Sequence, residues 1–255
     1  MEMKYIDIIA KSNGVPMISD KFDAQTLITL VAHYRHTLLQ CFDNLSEYLD
    51  PERIEVFYRE RNQPLGLDYP EYGELSESEQ QAVNNAISHI LQIMPEWKLY
   101  FSIPINFKRL TANENMVSLT NHNIPQIIFL GAKAFKSYTW LEEVIIHEMA
   151  HIWLGLICEI DSFHEHSEQS RYTLPSGTKD KDARGVIFAS HFAACVLKYM
   201  TRKRVSKDFT QQDDERFAWL QNYFSGCMSQ LVNMNELKPA GKKIVSIMGD
   251  EVSYA

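Results

Sequence analysis

The most apolar segment of the chain, residues 144–160, is interrupted by His147, Glu148 and His151. A capping box is predicted at residues 139–142, so we expect a buried helix to begin there and to carry this segment. Residues four apart on a helix lie on one face, and both imidazoles can therefore reach one ion about 2 Å from each. Two histidines in a buried helix are either hydrogen-bonded core residues or metal ligands. We favour a divalent transition metal that serves catalysis.

Composition and charge narrow the class of protein. The 255 residues are enough for one sizeable core, and 45% hydrophobic with 23% charged residues is typical of a globular chain. A net charge of −8 argues against nucleic-acid binding as the main function. The N-terminus does not have the apolar core of a signal peptide, and residues 144–160 are too short and too polar to span a bilayer, so we expect a cytoplasmic protein without membrane contact. Cysteines far apart and without CxxC spacing favour reduced thiols over a disulfide framework: Cys41, Cys158, Cys195 and Cys227.

Apolar periodicity predicts that most of the chain is helical. Besides the motif helix, the predicted helices are residues 23–49, 77–94, 186–200 and 211–232. Ser76 and Glu79 form a capping box at the start of the second of these. A polar loop is expected at 161–183, and the tail after Pro239 has no assigned structure.

Short runs of β-branched and aromatic residues, 100–107 and 126–130, predict two strands. We expect the second to be an edge strand beside the motif helix. The sum is an α+β fold, a predominantly helical single domain with a small sheet and a zincin-like HExxH helix. This one catalytic domain would consist of a helical N-terminal part, a part with the metal site, and a tail: residues 1–95, 96–235 and 236–255.

A catalytic metal needs a third protein ligand. The long pattern of metzincin peptidases would place glycine at 154 and histidine at 157, where this chain has Leu154 and Ile157. A gluzincin would need a glutamate from a downstream helix. None of the acidic residues that follow the motif is well placed for that role: Glu159, Asp161, Glu165, Glu168 and Glu215.

His191 is the better candidate for the third ligand. It lies in the apolar segment 186–195, which predicts a helix that packs against the motif helix. A lone histidine on such a face is more often a satisfied core residue, but here the first two ligands still lack a third. We expect the remaining histidines to be solvated or to have no evident companion: His164 and His166 in the polar loop, and His33, His36, His89 and His122.

Residues 118–200 resemble a known family, the HExxH-type iron(II)- and 2-oxoglutarate-dependent peptide β-hydroxylases, which modify ribosomally made peptides. The sequence HEMAH at 147–151 follows the strand-like IPQII at 124–128, and a polar loop comes next. The segment 182–184, Asp-Ala-Arg, then matches the family's Asp-Pro-Arg-Pro, with arginine seven residues before His191. The similarity covers about a third of the chain.

This resemblance implies a ligand set and a co-substrate. His147, His151 and His191 would bind iron(II), and Arg184 would pair with the distal carboxylate of 2-oxoglutarate, because a guanidinium fork suits a carboxylate. Two departures bear on the 2-oxoglutarate contacts: the family commonly has Ser-Pro-Leu-Arg upstream of the aspartate, and proline follows its arginine where this chain has Gly185. Other cations are alternatives for that contact: Arg171, Lys179 and Lys181.

The function expected from this similarity is hydroxylation, at a β-carbon, of a residue in a ribosomally made precursor peptide. The alternative is a zinc metallopeptidase in which Glu148 is the general base that takes a proton from the attacking water. In an oxygenase Glu148 would instead support the metal ligands or hydrogen-bond the substrate. A non-catalytic metal-binding scaffold is the third interpretation. The oligomeric state and the peptide are not predicted.

Overall fold

A computed structural model describes residues 7–62, 70–111, 115–121, 124–165, 171–205 and 209–252. The chain is mostly helical with a small four-stranded sheet, which confirms the predicted α+β character. None of the helices within these ranges is both long and apolar enough to cross a bilayer.

Most of the predicted helices are confirmed, but several of them begin or end at other residues than predicted. In chain order they are α1 (Ile8–Lys11), α2 (Ala24–Leu39), α3 (Pro51–Asn62), α4 (Glu77–Ile93), α5 (Tyr138–Ile160), α6 (Ala183–Val205), α7 (Gln211–Leu231) and α8 (Pro239–Val252). Short 3₁₀ helices lie at Leu45–Leu49, Pro95–Leu99 and Ala132–Phe135. The tail that had no assigned structure is therefore helical through α8.

The predicted helix at 23–49 was too long. Helix α2 ends at Leu39, and Gln40 has a φ of 49°, a left-handed conformation that stops a helix. The Tyr48 hydroxyl then accepts the N–H groups of Cys41 and Phe42 at 3.0 and 2.8 Å and fixes the turn. Pro51 opens α3 at its first position, where a proline needs no hydrogen-bond donor.

The sheet consists of β1 (Tyr72–Glu74), β2 (Asn106–Leu110), β3 (Ser118–Asn121) and β4 (Ile124–Leu130) in the spatial order β1-β2-β4-β3. Strands β2 and β4 are parallel, and the two outer pairings are antiparallel. Every residue of β4 is buried, as expected for a central strand with a nearly continuous apolar sequence.

Two strand predictions needed correction. Only the end of the run at 100–107 is a strand, since Tyr100 lies in a turn where its carbonyl accepts the Trp153 indole N–H at 3.1 Å. The run at 126–130 is part of the central strand β4, so the expectation of an edge strand there was wrong. The edge strand next to β4 is β3, which pairs through Ser118 opposite Leu130.

Contacts divide the chain into two compact units, residues 1–27 with 156–255, and residues 28–155. The second unit contains the sheet, with β4 packed against α3 and a core formed around Ile127 and Phe129. In the first unit the long helix α6 is buried over most of its length and packs against α7 and α8. The single-domain organisation inferred from the sequence stays a prediction.

Candidate metal centre

Helix α5 carries the HEMAH motif and begins at Tyr138, two residues earlier than a cap at Thr139 would place its start. Ser137 Oγ accepts the N–H of Trp140 at 3.2 Å, so Ser137 provides the N-terminal hydrogen bond. The capping box predicted at Thr139 was wrong, because its acidic member Glu142 is fully buried and pairs with His89 on α4. Because the Glu142 carboxylate pairs with a side chain of α4, it does not hydrogen-bond the backbone at the start of α5.

His147 and His151 lie side by side on successive turns of α5. Their ring centroids are 4.5 Å apart, and the ring planes are nearly perpendicular, at 83°. Both side chains are partly exposed, whereas their neighbours Met149 and Ala150 are fully buried. The helix therefore packs its apolar side inward and leaves the two imidazoles together on a partly exposed side.

Glu148 is only 2% exposed, and its side chain is hydrogen-bonded by a residue of the edge strand β3. Ser118 Oγ donates to Glu148 Oε1 at 2.6 Å, a short bond typical of a hydroxyl on a carboxylate. The second oxygen, Oε2, is buried and has no hydrogen-bond donor within the described ranges. The arrangement gives two imidazoles and one buried carboxylate oxygen that can still accept a hydrogen bond, a donor set that fits a divalent transition metal and a ligand beside it.

His191 is fully buried on α6, and its Nε2 lies 2.8 Å from the carbonyl oxygen of Pro16. A carbonyl only accepts, so Nε2 carries the hydrogen and the lone pair of the neutral ring lies on Nδ1. Metal-binding histidines commonly use one ring N–H on a backbone carbonyl in this way. The Cys195 sulfur is 3.6 Å from Nε2, and burial raises the pKa of that thiol, so it stays protonated at neutral pH.

The predicted 2-oxoglutarate contacts lie at the start of α6 and in the loop before it. The Arg184 guanidinium is partly exposed and lies 5.8 Å from the centre of the Phe188 ring, one helical turn on. Asp182 caps the helix, since its Oδ1 accepts the Gly185 N–H at 2.7 Å. The alternative cations are exposed or partly exposed: Arg171, Lys179 and Lys181. Arg184 as the contact for 2-oxoglutarate stays a prediction.

Three histidines were wrongly expected to be solvated or to lack a companion. His36 Nδ1 lies 3.1 Å from the Tyr48 hydroxyl oxygen. His164 is 6% exposed, with Nδ1 2.7 Å from the Glu165 carbonyl oxygen and Nε2 3.7 Å from Asp182, so it is not a solvated loop residue. His89 pairs through Nδ1 with the buried carboxylate of Glu142. His122, His166 and Glu168 lie outside the described residues.

Ser118 is the site residue that sequence reasoning missed. A single serine on a short strand is ordinary, and its role comes from a tertiary contact with Glu148. Glu142, by contrast, carried a usable signal. It lies three, four and seven residues before Ile145, Ile146 and Met149, and so belongs to the buried side of α5.

His147 and His151 are brought together within the unit of residues 28–155, and His191 and Arg184 belong to the other unit. Within the described ranges, no group of three or more histidine, cysteine, aspartate or glutamate side chains is arranged to hold a metal ion. His191 as third ligand stays a prediction.

No protein-family model matches the chain, and comparison with curated proteins also found no match.

Proposed function

We propose that this protein is a metal-dependent enzyme, and specifically an iron(II)- and 2-oxoglutarate-dependent hydroxylase that acts on a β-carbon in a ribosomally made precursor peptide. The observation that supports a metal site is the pair of imidazoles on one side of α5, whose ring centroids are 4.5 Å apart. The buried Glu148 lies between them in the sequence. The zincin-like character of α5 and the peptide substrate are supported by the resemblance of residues 118–200 to peptide β-hydroxylases.

In this proposal the chain supplies three imidazoles and one guanidinium. His147, His151 and His191 hold the metal, and the bond from His191 Nε2 to the Pro16 carbonyl favours the tautomer that binds through Nδ1. Iron(II), when bound, supplies the oxygen chemistry that hydroxylation needs. Neutral imidazoles leave the ion's charge undiminished, which favours a dianionic co-substrate whose distal carboxylate pairs with Arg184.

The second candidate is a zinc metallopeptidase, and Glu148 is the observation that favours it. One oxygen of Glu148 is fixed by Ser118 while the other accepts no bond within the described ranges. A carboxylate held in this way beside two imidazoles could take a proton from an attacking water. In the hydroxylase the same oxygen would accept a hydrogen bond from the substrate.

One experiment separates the two reactions. Anaerobically purified protein is loaded with iron(II) and given 2-oxoglutarate, oxygen and a candidate precursor peptide, and a parallel sample is loaded with zinc. A peptide heavier by one oxygen atom, with succinate released, supports the hydroxylase. Cleavage under zinc that is indifferent to 2-oxoglutarate contradicts it and supports the peptidase.

The Glu148→Gln variant adds an independent test in the same assay. Loss of a general base should lower peptidase activity by about 10²- to 10⁴-fold. Hydroxylation does not require that base, so we expect the variant to keep turnover and to lose mainly affinity for the peptide.

If His151→Ala retains stoichiometric metal, the metal site itself is refuted. His33→Ala, an exposed histidine on α2, is the matched control.

A further inference from the structure

Within the described ranges, only one of the two oxygens of the buried Glu148 side chain has a hydrogen-bond donor. Its Oε1 accepts the hydroxyl hydrogen of Ser118, and its Oε2 is buried without a donor within the described ranges. A buried acceptor that finds no donor costs about 1–3 kcal/mol, and more when it is charged. An O–H or N–H group that reaches Oε2 would remove this cost.

The position of Ser118 is fixed by the backbone of the sheet. Ser118 pairs with Leu130 at the start of β3, and the Gly131 N–H donates to the Val117 carbonyl at 2.8 Å. A Cβ at Gly131 would lie 2.0 Å from the Met116 carbonyl oxygen, so the two chain segments approach as closely as glycine permits. The hydroxyl therefore reaches Glu148 from a rigid support.

We propose that Ser118 is a positioning residue for Glu148, which leaves Oε2 as the acceptor for an O–H or N–H group of the ligand bound at the metal. A hydroxyl has one hydrogen, and Ser118 gives it to Oε1, so the carboxylate is held as an acceptor at a fixed angle. The inference rests on the proposed metal site at His147 and His151. It holds for either reaction considered above.

The test compares Ser118→Thr with Ser118→Val, which have the same shape but differ in the hydroxyl. Each protein is loaded with zinc, and calorimetry measures its affinity for acetohydroxamic acid, a small chelator with O–H and N–H groups next to its metal-binding oxygens. The wild type and Ser118→Thr should bind the probe equally. Ser118→Val should bind it about 10-fold or more weakly, as expected for loss of a hydrogen bond to a charged group.

Controls separate this role from a structural one. The metal affinity of both variants should stay within about threefold of wild type, because the Ser118 hydroxyl bonds to Glu148. Thr120→Val removes a hydroxyl from the same side of β3 and should change neither affinity. Ser118→Ala, which needs no added space, should repeat the loss seen with valine.

The outcomes distinguish the two levels of the proposal. If zinc binds normally and Ser118→Val matches Ser118→Thr in probe affinity, the positioning role is overturned and the metal site stands. If the wild type retains no metal, the proposed function is overturned and this inference with it. A loss confined to Ser118→Val and Ser118→Ala supports the inference.

Discussion

Gly131 directly follows β4 and packs against the backbone of the two residues that precede Ser118. The closest atom to an added Cβ would be the Met116 carbonyl oxygen, at 2.0 Å, and backbone atoms cannot give way as a flexible side chain does. We expect Gly131→Ala to lower the free energy of unfolding by about 1–3 kcal/mol, the usual cost of overpacking. Urea denaturation measures the change.

Gly155 is the matched control for this prediction. It lies in α5 one turn after His151, and nothing is within 4 Å of an added Cβ. Alanine is the better helix former, so Gly155→Ala should raise stability by about 0.5–1 kcal/mol. Equal effects of the two substitutions would mean that the approach at Gly131 does not constrain the fold.

The residues that the sequence could predict are those whose partners are local. His147 and His151 come together because helical geometry alone brings positions four apart to one side. Ser118 and His89 were missed because their partners, Glu148 and Glu142, lie 30 and 53 positions away. Spacing along one helix does not determine which side chain another element will present.

The pair formed by His89 and Glu142 joins α4 to α5. The Glu142 side chain is fully buried while 22% of His89 is exposed, so removal of the imidazole would leave a carboxylate inside with fewer donors. We expect His89→Ala to lower stability by about 1–3 kcal/mol. In that background Glu142→Gln should cost less than it does alone, which a double-mutant cycle measures.

Ser88→Ala serves as the control on α4. The Ser88 hydroxyl is exposed and bonds to the Asn84 carbonyl within the same helix, so its loss should change stability by less than about 0.5 kcal/mol. Additive effects of the His89 and Glu142 substitutions would contradict a direct pairing of these side chains.

Helix α6 binds the segment that follows α1 through Lys198 as well as His191. Lys198 Nζ donates to the Ile18 carbonyl and to Asp20 Oδ1, both at 2.6 Å, and this hydrogen bond holds the pKa of Asp20 below its ordinary value. A carboxyl whose folded-state pKa is depressed contributes stability above its unfolded pKa. That contribution is lost as the pH falls through the lowered folded-state value.

Lys198→Met should therefore lower stability more at about pH 7 than at about pH 3. The pH-dependent part should stay below about 1 kcal/mol, because 74% of the Asp20 side chain is exposed and solvent screens the pair. Urea denaturation at both pH values measures it, with the exposed Lys21→Met as control. A deficit that is the same at both pH values would contradict the ion pair.

Elements were predicted well where a sequence pattern has one structural solution. The capping box at Ser76 is observed with both of its hydrogen bonds, and α4 ends within a residue of the predicted position. The role of β4 was misjudged, because an apolar run of strand length does not reveal how many neighbours pair with it. The edge position next to β4 belongs to β3, a short strand without strong β-branched character.

Considered over the whole chain, the four cysteines are unpaired, as the sequence indicated. Burial raises the pKa of Cys227 to about 12, and burial also raises the pKa of the Cys158 and Cys195 thiols. These three cysteines are therefore neutral thiols at physiological pH. Because the four cysteines form no disulfide that has to be preserved, a reducing agent can be present when metal binding is measured, at a concentration that does not compete for the metal.

A metal bound to the folded chain and not to the unfolded one raises stability by mass action. At a free metal concentration about 100-fold above Kd the gain is about 2.7 kcal/mol, and a chelator should remove it. We expect thermal unfolding to show this shift in the wild type and to lose it in His147→Ala and His151→Ala. If three imidazoles hold the ion, His191→Ala loses the shift too. A full shift in that variant would exclude His191 and direct the search for a third ligand to residues 28–155, the unit that contains the other two histidines.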